Sequence, residues 1–197
     1  ENFRGIWNAP WGILWGPPGT GKTYTIGEQV AHCLRATDER FLILSSTNKA
    51  TDEVALSVVN ALHRQNVDKK VIRVGKGADY RTFERQQRTQ VLEGSESELL
   101  KEIDVLFQFL VKKRSLQISQ LSVIKLQIKE LRKRLQTNSL KVFLDKSCHV
   151  VVTTAFNATS VLVNPTIRQS IEAGHSPFTT VILDEAGILS RAATAAL

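Results

Sequence analysis

A chain of 197 residues can bury a core of ordinary domain size and is too short for two large domains. Its 42% hydrophobic and 23% charged residues exclude wholesale disorder and a collagen-like repeat, and 26 Lys and Arg against 19 Asp and Glu leave a net charge of +7. Cys33 and Cys148 form no CxxC and frame neither a disulfide scaffold nor a zinc site, so an intracellular setting, cytoplasm or nucleus, is expected.

In chain order, the apolar run Ile13, Leu14, Trp15 reads as a first strand. It ends in a glycine-rich loop, and behind that loop Ile26, Val30, Ala31 and Leu34 recur at helical spacing. Trp7, Trp11 and Trp15 recur every four positions with Pro10 and Gly12 between them, and are expected to pack around that strand. Residues 41–44 predict a second strand. Ser45, Ser46, Thr47 and Asn48 supply N-cap chemistry for a helix whose inner face is Ala50, Val54, Val58, Val59 and Leu62. Residues 71–74, 149–153 and 180–183 predict three more strands. Short apolar runs without clean alternation, separated by helices, predict an α/β fold with a parallel sheet covered on both faces.

The middle of the chain differs. Residues 75–94 are polar and read as a mobile connection. Between Leu100 and Leu135 a seven-residue register carries Leu100, Ile103, Phe107, Leu110, Leu121, Ile124, Ile128, Leu131 and Leu135, and Arg114 and Gln117 break it. This predicts two helices, over 97–113 and 117–136, folded as an antiparallel hairpin, with one continuous coiled-coil helix as the rival. Between Val111 and Gln136, eight bases (Lys112, Lys113, Arg114, Lys125, Lys129, Arg132, Lys133 and Arg134) face one acid, Glu130, so the entire +7 resides in this arm. It is either a solvated coiled-coil face or an electrostatic rail for a strand or another anionic partner. Residues 147–167 carry no charge, yet His149, Asn157, Asn164 and Pro165 make their burial in lipid too costly.

Gly16, Pro17, Pro18, Gly19, Thr20, Gly21, Lys22 and Thr23 match GxxxxGK[ST] at every required position. The glycines let backbone N–H groups approach phosphate oxygens, Lys22 bridges the β and γ phosphates of ATP, and the Thr23 hydroxyl ligates Mg2+. The helix behind them points its positive end at the same anion. The second half of such a site is an acidic pair closing an apolar strand. Asp184 would hold the Mg2+ through water, and Glu185 would polarise the water that attacks the γ phosphate. Lys22 and Glu185 are therefore the catalytic candidates. Tyr24 stands where GxGxxG needs its third glycine, which excludes a dinucleotide fold, and Thr51 stands where NKxD needs its guanine-reading Asp. The 162 positions from Lys22 to Asp184 exceed the compact βαβ passage usual in AAA+ machines. The histidines, His32, His63, His149 and His175, have no metal-like spacing.

With these motifs in this order, the chain resembles the superfamily 1B, Upf1-like helicases. The stretch from Ser46 to Asp52 is similar to the family's motif Ia, S-N-x-A-x-D after a strand. The run from Val150 to Ala155 is similar to the next strand motif, whose hydroxyl residues face the nucleic acid backbone. The resemblance implies the first RecA-like domain of a P-loop ATPase motor, with 1–92 as its first part, 93–140 as an inserted basic hairpin and 141–197 as a truncated remainder. It implies ATP and Mg2+ as cofactors, and single-stranded RNA or DNA as partner, contacted at Ser46, Thr47, Asn48, Thr153 and Thr154. Each of these short polar side chains also reads as a cap or turn residue. A second RecA-like domain is expected in the full-length chain, since the start without Met and the alanine-rich end suggest a fragment; alone, the fragment should turn over ATP weakly if at all. Ile188 replaces the Gln of DExxQ, and no adenine-reading Gln motif precedes Ile13. Two alternatives stay open: an ATP-gated clamp on nucleic acid or protein without unwinding, and an AAA+ type remodelling ATPase.

Overall fold

The elements are α1 (Lys22–Ala36), β1 (Phe41–Ser45), α2 (Asn48–Arg64), β2 (Val71–Arg73), α3 (Tyr80–Arg85), a 3-10 turn (Thr89–Val91), α4 (Gly94–Lys112), α5 (Ile118–Leu144), β3 (Val150–Thr154), α6 (Ala155–Leu162), α7 (Pro165–Glu172) and β4 (Thr180–Leu183). They come from a computed structural model that describes residues 11–75, 77–92, 94–112 and 118–185, without the side chains of 94–97, 112, 118–119 and 135–139. Trp7, Lys113, Arg114, Gln117 and Ile188 lie outside the described residues. The four strands form one all-parallel sheet in the order β2-β3-β1-β4. Phe41 lies beside both Val150 and Thr180, and Leu44 beside both Thr153 and Leu183, so β1 aligns the C-terminal ends of its neighbours at one edge.

Side chains alternate across the strands and sort the core into two layers. Phe41, Ile43, Val150 and Val152 face α1 and α2, where Ile26, Val30, Ala31, Leu34, Val54, Val58 and Leu62 are buried. Leu42, Leu44, Ile72 and Val151 face the other way, onto Val142, Phe143, Ala158, Val161 and Ile167. The sheet is therefore covered on both faces, as continuous apolar strands require. Among the described residues no helix is long and apolar enough to cross a membrane. α6 and α7 have eight residues each, too few for periodicity to reveal them. Their signals are the caps: Thr154 Oγ1 accepts from the Asn157 N–H, and Asn164 Oδ1 accepts from the Thr166 N–H just after Pro165.

The structure corrects three expectations. Residues 13–15 do not join the sheet: Ile13 is 76% and Trp15 84% exposed, and the sheet's edge strands among the described residues are β2 and β4. Three residues between Gly12 and Gly16, followed by two prolines that lack N–H donors, offer too short a ladder. Trp11 and Trp15 are accordingly exposed rather than packed around a strand. The stretch 75–94 is not a structureless connection either. Asp79 caps α3, and Phe83, Val91 and Leu92 are buried against the α1–α2 layer, their apolar anchors diluted in the sequence by Arg and Gln. In the middle, two separate helices pack on each other, ruling out the continuous helix, and Arg132 stacks on the Phe107 ring at 5.3 Å. α5 runs past 136 to Leu144 because Val142 and Phe143 insert under the opposite face of the sheet.

One buried ion pair ties β2 to α2. Arg73 is fully buried; its Nε donates to Asp52 Oδ1 at 2.7 Å, its Nη2 to Asn48 Oδ1 at 3.0 Å, and its Nη1 to the Val74 carbonyl. The Asp79 N–H takes the other Asp52 oxygen at 3.0 Å. Burial pushes the Asp52 carboxyl above its usual range, and the Arg73 charge opposes that shift. Removing one partner strands the other in a low-dielectric layer. Arg73→Ala is expected to lose about 3–5 kcal/mol of stability, read as a shift in urea midpoint at neutral pH.

Candidate active site

Two glycines shape the loop before α1. Gly19 and Gly21 have φ of +81° and +80°, the left-handed region where side chains are strained, and a Cβ on Gly16 would lie 2.6 Å from Thr20 Oγ1. Thr20 Oγ1 donates to the Pro17 carbonyl at 2.8 Å, closing the turn. Gly21 caps α1 without a side-chain acceptor, and the first turn carries no acid, so the helix start keeps free N–H groups for an anion. Lys22 Nζ folds back over the loop, donating to the carbonyls of Gly16 at 2.5 Å and Pro17 at 2.9 Å. Thr23, half-buried, opens the helix, and Ser57 Oγ on α2 donates to its carbonyl at 2.9 Å. That close approach of α2 is possible because Gly27 has no side chain: a Cβ there would lie 2.8 Å from the Ser57 backbone.

The acidic pair arrives from β4. The Asp184 N–H donates to the Leu44 carbonyl at 2.7 Å, extending the β1–β4 ladder one step, so Asp184 lies beside Ser45. Asp184 is 6% exposed, and alternation places it with Ile182 toward the α1 layer. Burial and the adjacent Glu185 charge push its carboxyl up, and Lys22 is the cation that opposes them. None of the ion pairs among the described residues includes it. Beside it Ser45 Oγ is buried and has no hydrogen-bond partner among the described residues. A desolvated carboxylate and an unsatisfied hydroxyl suit a hydrated Mg2+, which takes one or two protein ligands plus phosphates and keeps its waters. Among the described residues no group of three or more His, Cys, Asp or Glu could hold a metal ion.

The polar residues assigned to a strand backbone all lie at this same edge, each with an internal partner. Ser46 Oγ donates to Glu185 Oε2 at 2.5 Å. Thr47 Oγ1 caps α2 by accepting from the Ala50 N–H at 3.2 Å, and Asn48 Oδ1 accepts from Arg73. Thr153 is buried, donating to the Val74 carbonyl and accepting from Asn157 Nδ2, both at 2.9 Å. Thr154 caps α6. Thr47 and Asn48 remain exposed. Sequence reasoning missed Arg73 as the anchor of Asn48, because its partners Asp52 and Asn48 stand 21 and 25 positions away in the chain. Away from this edge, α4 and α5 enclose a groove of about 680 Å3 lined by Phe107, Leu110, Lys125, Ile128, Lys129 and Arg132, among others.

A family profile described as an AAA domain matches residues 4–106, taking in the glycine-rich loop, the turn after β1 and Arg73. No curated protein matches the chain.

The Asp184 shift carries a stability consequence. A carboxyl raised by the fold holds its proton more tightly folded than unfolded, so its contribution is full below the unfolded pKa and is lost as pH rises through the folded one. Asp184→Asn is therefore expected to raise the melting temperature of the nucleotide-free protein at pH 7. The gain should vanish below about pH 3, where both forms are neutral; thermal melts at the two pH values check it.

Proposed function

The chain belongs to the AAA domain family, in the form found in Upf1-like superfamily 1 helicases, and from that premise we propose that it binds Mg-ATP and drives movement along single-stranded nucleic acid. The family makes it a P-loop NTPase with a helicase-like motor domain. The observation that carries the fuller reading is Asp184, buried on the α1 side of the sheet with no ion-pair partner among the described residues and with Lys22 as its neighbouring cation.

In this reading Lys22 exchanges the Gly16 and Pro17 carbonyls for β and γ phosphate oxygens, while the N–H groups of the loop and of the α1 start take the remaining anionic oxygens. Thr23 and Asp184 would hold Mg2+, which when bound neutralises phosphate charge. Glu185 accepts a proton from the attacking water. Thr47, Asn48 and Thr154 contact the strand backbone without reading bases, because hydroxyls and amides bind phosphate oxygens alike. The arm formed by 93–140 is an insertion in a domain built from 1–92 and 141–197. Its exposed Lys125, Lys129, Arg132 and Arg134 attract the strand electrostatically.

In the full-length protein, Lys22→Ala is expected to weaken Mg-ATP binding, and Glu185→Gln to keep binding while slowing strand-stimulated turnover at least about a hundredfold. Unchanged turnover in Glu185→Gln would overturn the site assignment. For the arm, replacing Lys129, Arg132 and Arg134 with Gln should lower the slope of log affinity against log salt by about 2, at roughly 0.7 per single-strand phosphate contact. A slope equal to the parent's would show that the strand does not touch the arm.

A further inference from the structure

Glu185 leaves β4 with φ of +56°, a left-handed conformation that side-chain-bearing residues adopt when their surroundings impose it. Two contacts impose it here. The Glu185 N–H donates to Asp184 Oδ1 at 3.1 Å, and the Glu185 carboxylate is gripped by Ser46, whose Oγ–H donates to Oε2 at 2.5 Å. The register of the strands brings the two residues together: Leu44 lies beside Leu183, the Asp184 N–H still reaches the Leu44 carbonyl, and Ser46 and Glu185 each stand two residues beyond that paired step. Ser46 is itself held between the end of β1 and Thr47, the cap of α2, so its hydroxyl sits on backbone pinned from both sides. A glutamate reaching into solvent samples many rotamers, and one charge-assisted hydrogen bond selects among them. That bond uses Oε2, and among the described residues the other oxygen has no hydrogen-bond partner.

We propose that Ser46 is a positioning residue for hydrolysis: its hydroxyl aims the Glu185 carboxylate, and it acts through Glu185 rather than by touching the strand. The inference rests on the reading of Glu185 as the group that takes the water's proton.

The test uses the full-length protein with Ser46→Ala, Ser46→Cys and Ser46→Thr, measuring kcat and KM for Mg-ATP with and without a single-stranded oligonucleotide, the oligonucleotide Kd, and thermal melting. Ser46→Ala is expected to lose about tenfold to a hundredfold in kcat under both conditions, with KM and oligonucleotide Kd within about twofold of the parent. Ser46→Cys, close in size but a weak donor, should show the same loss, so the result survives if the alanine variant fails to fold. Ser46→Thr, which keeps the hydroxyl, should recover most of the rate. Unchanged strand-free kcat with a weakened oligonucleotide Kd would overturn the proposal and make Ser46 a strand contact. A threonine variant as slow as the alanine one would also overturn it, because shape and not the hydroxyl would then matter. Absence of turnover in the parent sinks the hydrolase reading and this role with it, whereas parent turnover with an unaffected alanine variant sinks this role alone.

Discussion

The in-register pairing of β1 with β3 on one side and β4 on the other is the constraint from which the chemistry of this chain follows. Because the three strands run parallel and end together, Ser46, Thr154 and Glu185 emerge at one edge although they are far apart in sequence. α2 and α6 start directly after β1 and β3, so their N-termini collect at that edge as well. Partial positive charge from helix ends meets the negative pair Asp184 and Glu185 there. A parallel sheet thus makes one polar rim out of local choices that are each ordinary, and ligands of such sheets bind outside the carboxyl ends of the strands.

The rim is costly to fold. Asp184 is desolvated, Ser45 has a buried hydroxyl with no partner among the described residues, and Glu185 sits at positive φ. Offsetting contacts lie at the opposite end of the strands. Arg40, just before β1, donates through Nε to the Cys148 carbonyl at 2.9 Å, through Nη2 to the Asp145 carbonyl at 2.8 Å, and through Nη1 to the Pro177 carbonyl at 2.5 Å. Its guanidinium also stacks on Phe178 at 4.9 Å. One side chain therefore gathers the approaches to β1, β3 and β4. With the strand starts clamped and the two layers filled, the strand ends can carry groups chosen for binding rather than for packing.

What was legible in the sequence was whatever depends on neighbours along the chain. Gly16 to Thr23 announce themselves because positive φ at Gly19 and Gly21 demands glycine, and α1 follows from Ile26, Val30, Ala31 and Leu34, all buried where the spacing put them. Asp184 was visible as an acid closing an apolar run. The failures share a different cause. Residues 13–15 have strand composition, yet strands form only by pairing, and pairing is not written in composition. Phe83 and Leu92 were hidden by the charged residues around them, although burial is decided by where single side chains land. The bond between Ser46 and Glu185 joins residues far apart in the chain, and only the register of β1 against β4 reveals it.

The excess positive charge and the acidic pair lie in different parts of the chain. All of the excess positive charge lies between Val111 and Gln136, whereas the charges that shift Asp184 are Glu185, Lys22 and Glu53, all at the rim or beside it. Among the described residues no arm charge is one of them. What visibly joins arm to sheet is packing. Ile103, Ile124, Ile128 and Leu131 of α4 and α5 belong to the same buried cluster as the α1–α2 layer, and Arg81 on α3 pairs with Asp104 on α4 at 2.8 Å. α5 then continues under the other face to Val142 and Phe143, directly before the Asp145 carbonyl that Arg40 holds. The two helices of the arm are therefore anchored by packing in both layers of the sheet.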